Sequence, residues 1–238
     1  MARKRIGLVL CLALAACSRP PANPTSAVSS AAASGAAPAA GPSARLARIF
    51  TADMLGANVA YLETITGPAF RSDGDTNTYK VDGCSVLVGV SGGKVENLGI
   101  DGYGGRCSFD IAQYFAGGYE RPAPNQPTFA DIRVGLGGDF SADCYRLCGN
   151  AANPVVSLSY EGSHADNFNE LVASASASDD AVFKAYSAWT DALVAKYGEP
   201  AVVDSRIPDP LDDVAAKAFG PLRPTTIRVG QHVIPIPG

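Results

Sequence analysis

The sequence predicts an α+β fold: an antiparallel sheet with a few packed helices and two disulfides inside the domain. Three observations carry this expectation. Helical and strand periodicities follow one another without regular alternation, which argues against a doubly wound nucleotide fold. Alternating segments flank the pair Gly92-Gly93, a hairpin signal. Three helical patterns stop at Gly-Pro or Gly-x-Pro, at positions 67–68, 198–200 and 220–221.

The chain begins with a leader. Arg3-Lys4-Arg5 forms a basic start, residues 6–16 are continuously apolar or small, and Ser18-Arg19-Pro20-Pro21 breaks the run. A span of eleven residues is too short for a bilayer, which needs roughly 20. The run ends in Leu14-Ala15-Ala16-Cys17, which resembles the lipobox of bacterial lipoproteins. That resemblance implies a signal peptide over 1–16, cleavage before Cys17 and acylation of its thiol. An ordinary secretory leader with a chance cysteine is the competing reading. Two or three acyl chains would hold the protein on a membrane, where one chain is only a marginal anchor. Ser18 stands where an Asp would, in enteric bacteria, retain such a protein at the inner membrane, so the resemblance implies a periplasm-facing position on the outer membrane.

Residues 18–43 are mostly Ala, Ser, Gly and Pro, with no aromatic side chain and little to bury. Together with the lipidated cysteine they are expected to form a disordered tether over 17–43. A flexible chain of that length spans roughly 28 Å, and the five prolines at 20, 21, 24, 38 and 42 stiffen it further.

The body, 44–238, is one medium domain with a candidate subdomain boundary in the Pro-rich stretch 120–127. A short amphipathic segment at 44–54 precedes a helix at 57–65, on which Val59, Leu62 and Ile65 share a face. Strands are expected at 78–81, 84–90 and 94–100. In the first half, helix to hairpin over 46–100, the chain resembles the modules of small outer-membrane assembly lipoproteins and β-lactamase-inhibitor proteins. Those families bind proteins and catalyse nothing, which is what the resemblance implies here. Beyond the aromatic, glycine-rich stretch 101–127, strands are expected at 128–136, 139–147, 155–160 and 168–175. Ser178-Asp179-Asp180 opens the clearest helix, with Val182, Tyr186, Trp189, Leu193 and Tyr197 in one stripe. A shorter helix at 211–219 and a last strand at 225–236 complete the body.

The body carries four cysteines, Cys84, Cys107, Cys144 and Cys148. In an oxidising compartment they imply two disulfides, and sequence alone admits three pairings. Pairing within each half, Cys84 with Cys107 and Cys144 with Cys148, is the expectation. A four-thiolate zinc site would need paired Cys-x-x-Cys knuckles that this spacing lacks, so no metal is expected.

The formal charge of −4 loses three basic residues with the leader, leaving −7 on the mature chain. Lys and Arg are scattered without a basic stripe, which argues against nucleic acid as a partner. Catalytic patterns are sparse. Ser163, His164 and Asp166 contain triad types, but near neighbours in one chain cannot face one another as base, nucleophile and orienting group. The doublets Asp179-Asp180 and Asp212-Asp213 sit at helix starts, where they complement the dipole. Glu161, Asp166 and Glu170 read as solvated charge.

The sequence-level expectation is therefore a non-catalytic, protein-binding module of the envelope, of accessory or inhibitor and immunity type. Its partners would be the membrane, through the lipid, and another envelope protein, with no cofactor. Tyr103, Tyr114, Phe115 and Tyr119 are the candidate interface, because aromatics on a glycine-rich segment dominate many binding surfaces; satellite core beneath a long loop is the competing reading and the more frequent one. An envelope hydrolase built from dispersed residues and a small-ligand carrier are the alternatives.

Overall fold

A computed structural model describes residues 41–115, 126–149, 153–164 and 167–233. The leader, Cys17 and most of the tether lie outside this set. The described residues all fall in one compact unit.

Two short helices open the body. Ser43 accepts a hydrogen bond from the Leu46 N–H and so caps α1 (Ala44–Ile49); Asn58 does the same for α2 (Val59–Thr66), which ends at Gly67 with φ +81°. Four strands follow, β1 (Arg71–Asp73), β2 (Thr76–Val81), β3 (Cys84–Ser91) and β4 (Lys94–Asp101), each antiparallel to the next. Gly92 and Gly93, both at positive φ, make the predicted turn between β3 and β4.

The second half runs α3 (Phe129–Leu136), β5 (Asp139–Ala142), β6 (Val155–Tyr160), β7 (Glu170–Ser176), α4 (Asp180–Tyr197), α5 (Glu199–Val203), α6 (Asp212–Phe219) and β8 (Thr226–Gly230). The last strand is the keystone. It pairs antiparallel with both β4 and β7, which joins the two meanders into one eight-stranded sheet of order β1-β2-β3-β4-β8-β7-β6-β5. The expected boundary at 120–127 thus links two halves of a single sheet; residues 116–125 themselves lie outside the described set.

Segment 128–136, expected as a strand, is a helix. Thr128 and Asp131 form a reciprocal capping box, in which the Asp131 N–H donates to the Thr128 hydroxyl and the Thr128 N–H to the Asp131 carboxylate. The helix buries Phe129 and Ile132. On α4 the cap is Asp179, and its carboxylate accepts from the N–H groups of Ala181 and Val182.

Both expected disulfides are present, Cys84–Cys107 and Cys144–Cys148. The first ties the start of β3 to the loop after β4.

Strand alternation sends Val86, Val88, Leu98, Ile100, Ile227 and Val229 to one side of the sheet, where all are essentially inaccessible. The helices that touch the sheet do so on this side. Phe140 of β5 packs between Phe129 of α3 and Phe219 of α6, while Trp189 of α4 meets Phe219 edge-on at 5.7 Å and donates its indole N–H to the Pro210 carbonyl. Four phenols are held on the same side, those of Tyr79, Tyr114, Tyr145 and Tyr186, and burial raises the pKa of each, Tyr186 to about 12.

Candidate binding face

The aromatic segment expected to be an interface is core. Tyr103, Tyr114 and Phe115 are 9, 3 and 6% exposed. Phe109 stacks on Phe50 at 4.2 Å, Tyr103 meets Phe109 edge-on and donates its hydroxyl to the Phe109 carbonyl, and Phe115 packs against Tyr160. The rings fill the space between α1 and the centre of the sheet, so their composition reflects packing; Tyr119 lies outside the described residues. His164 is exposed and touches Phe168. The Glu170 carboxylate accepts the Val233 N–H at 2.7 Å. Asp166 is outside the described set, and among the described residues no group of three or more His, Cys, Asp or Glu side chains could hold a metal ion. No described helix is long and apolar enough to cross a membrane.

The other side of the sheet is different in kind. The same alternation that turns the valines to the helices sends a second set of side chains to the opposite side, where Ser157, Ser174, Val172, Thr226 and Arg228 at the centre are buried as well, and the cross-strand register arranges them in transverse rows. One row reads Ser141, Ser157, Ser174, Thr226, Asp101, Ser85 and Lys80, from β5 to β2. Its members bond one another: the Ser157 and Ser174 hydroxyls lie 2.9 Å apart, Thr226 donates to Asp101 at 3.3 Å, and Lys80 donates to Ser85 at 2.6 Å. The neighbouring row reads Asp139, Ser159, Val172, Arg228, Gly99, Leu87, Thr78 and Arg71 and crosses all eight strands.

Arg228 sits at the centre of this second row. Its chain lies across Gly99, where a Cβ would collide with Arg228 Cγ and stand 2.8 Å from the Ile227 carbonyl oxygen. One guanidinium nitrogen, Nη2, donates to Asn97 Oδ1 at 2.5 Å. Asn97 is itself accommodated by glycine, since a Cβ on Gly89 would strike its amide, and it donates to the Gln231 carbonyl at 3.2 Å. Arg228 is 7% exposed, and desolvation draws its pKa below the ordinary arginine value. Arg228 Nε and Ser159 Oγ, two members of this row, are buried without a hydrogen-bond partner.

A cleft of about 880 Å³ opens on this side, lined from Phe70 and Arg71 at one end to Val155 of β6 at the other, with Arg228 in its wall. It reaches across seven strands, which at the usual spacing is about 29 Å. Phe70 is 70% exposed at its rim, with the Lys80 ammonium 5.6 Å from the ring centroid. Compared with known proteins, the chain matches no protein-family model, no curated protein and no solved structure.

Neither Arg228 nor Phe70 is visible as a site in the sequence. Arg228 is one polar position in an alternating strand, and the glycines that receive it lie more than a hundred residues upstream. The usable signal was indirect: glycine at two alternate positions of predicted neighbouring strands marks close approach by another group.

Proposed function

We propose that this chain is a membrane-tethered lipoprotein of the periplasm, anchored through Cys17 to the outer membrane, and that it acts as a non-catalytic protein-binding module whose binding surface is the outward face of the sheet. The cleft across seven strands carries this reading. Its volume lies within the range of small-molecule sites, but it is drawn out over about 29 Å, a dimension suited to the roughly 800 Å² that each partner contributes to an ordinary protein interface. An exposed aromatic at the rim and a central arginine are residue types enriched at such surfaces. The lipobox and the tether over 17–43 support the address and give the body reach from the bilayer.

Two measurements test the reading. Cys17→Ser should abolish palmitate labelling and membrane retention without changing the melting curve of the body; a wild type that takes no label overturns the anchor. A photo-crosslinking residue placed at Thr78 or Ser85 should trap a discrete protein in intact envelopes, while the same residue at Tyr61, on the exposed side of α2, should not. Crosslinks from position 61 alone would move the interface to the helices.

A further inference from the structure

Arg228 is nine-tenths buried, yet no carboxylate among the described residues pairs with it. Of the acidic groups on its own face, Asp101 accepts from Thr226, Glu170 from the Val233 N–H and Asp73 pairs with Arg71, while Asp139 lies three strands away on β5. A charge withdrawn from water is costly unless it is paired and hydrogen-bonded. Among the described residues a single side-chain bond, to Asn97, is in place, and Nε has none. The side chain is also held in one position. Gly99 leaves room for its stem and Gly89 for the Asn97 amide, so the guanidinium lies along the sheet in the wall of the cleft, braced by Asn97.

Resting on the reading of this face as a protein interface, we propose that the partner protein seats the carboxylate of a single Asp or Glu side chain against the Arg228 guanidinium. A fork held in advance is suited to a planar carboxylate, and the partner's acid supplies the counter-charge that the sheet lacks. The surroundings favour one acid within an otherwise polar or apolar segment over an acidic tract. Arg71 is paired with Asp73, and Lys80 stands exposed to solvent and donates to Ser85, so among the described residues of the cleft Arg228 is the one buried cation without a carboxylate. The net charge of the chain is negative and would repel a polyanion.

The test uses the full mature chain and a displayed library of ten-residue loops, selected on the wild type and counter-selected on Arg228→Gln. Selected loops should carry one acidic residue. Changing that residue from Glu to Gln, or Arg228 to Gln in the body, should weaken binding about tenfold or more, and Arg228→Lys should restore part of it. In the wild type, adding the Glu loop should shift the Arg228 Nε–H resonance, and the Gln loop should not; this readout stands even if a variant folds poorly. A library that yields no Arg228-dependent loop overturns the proposal. So do loops that bind this face, as judged by loss with Thr78→Trp, but tolerate both neutral changes; that outcome leaves the interface itself standing. Loops indifferent to Thr78→Trp as well overturn the interface reading. A response to inorganic phosphate with none to any acidic loop assigns the arginine to a small anion and refutes the protein carboxylate.

Discussion

The two faces of the sheet share every strand and every ladder bond, yet they are built to opposite specifications. On the covered face Val86, Leu98, Ile227 and their neighbours are sealed by helices and aromatic rings; on the opposite face hydroxyls, glycines and charged side chains, with Arg228 at the centre, hold most of the corresponding positions. The difference shows where stability resides. Apolar burial contributes about 25 cal/mol per Å², so the covered face carries most of the folding free energy. The outward face, bound by short-range hydroxyl contacts, can be specified by what it must meet.

The largest expected effect breaks the covered face. Trp189 is inaccessible, packs edge-on against Tyr145 and Phe219, and spends its N–H on Pro210. Trp189→Ala should cost about 3–5 kcal/mol in chemical denaturation. Thr78→Ala, on β2 of the outward face, should stay within about 0.5 kcal/mol of wild type. Comparable losses from the two would erase the distinction between a structural and a recognition face.

A smaller effect tests whether the outward face is also rigid. Gly99 admits the Arg228 stem and lies close to the β8 backbone, so Gly99→Ala forces either a shift of the strand pair or expulsion of the arginine. Overpacking of this sort should cost about 1–3 kcal/mol. Denaturation together with the Arg228 Nε–H chemical shift would measure both consequences. An unchanged stability and an unchanged shift would mean that the arginine slides freely and is not held in advance.

The fold was legible wherever local chemistry and tertiary structure agree. The turn at Gly92-Gly93, the alternation at 155–160 and the Val182 to Leu193 stripe each declare their period, and the structure returns a hairpin, a strand and a helix. Pairing of the cysteines within each half followed from the same locality. Segment 128–136 misled because Phe, Ile, Val and Leu suit a strand as readily as a short helix; the deciding signal was the Thr128-x-x-Asp131 box at its start. The site was not legible. Aromatics on a glycine-rich segment look alike whether they face solvent or fill the core, and Tyr103 and Phe115 fill it. Conversely Arg228 acquires meaning only through the register that lays it over Gly99, a relation between strands 129 positions apart.

The smallest effect separates the faces by titration. All four phenols raised by burial lie with the helices, and none belongs to the outward rows. A tyrosine whose folded pKa exceeds the ordinary value of about 10 keeps its proton in the native state while the unfolded chain releases it. The unfolded state then binds fewer protons, so stability is complete below pH 10 and falls as the pH rises towards the folded value, about 12 for Tyr186. The Tyr186 hydroxyl also donates to the Cys144 carbonyl at 3.2 Å, a bond that ionisation removes. Urea denaturation at pH 9, 10 and 11 should therefore show a declining free energy of unfolding. Tyr186→Phe should make that decline shallower, while Thr78→Ala should leave its slope at the wild-type value. A stability that is flat across this range, or a slope altered by Thr78→Ala, would contradict the assignment of the buried ionisable groups to the helix-covered face.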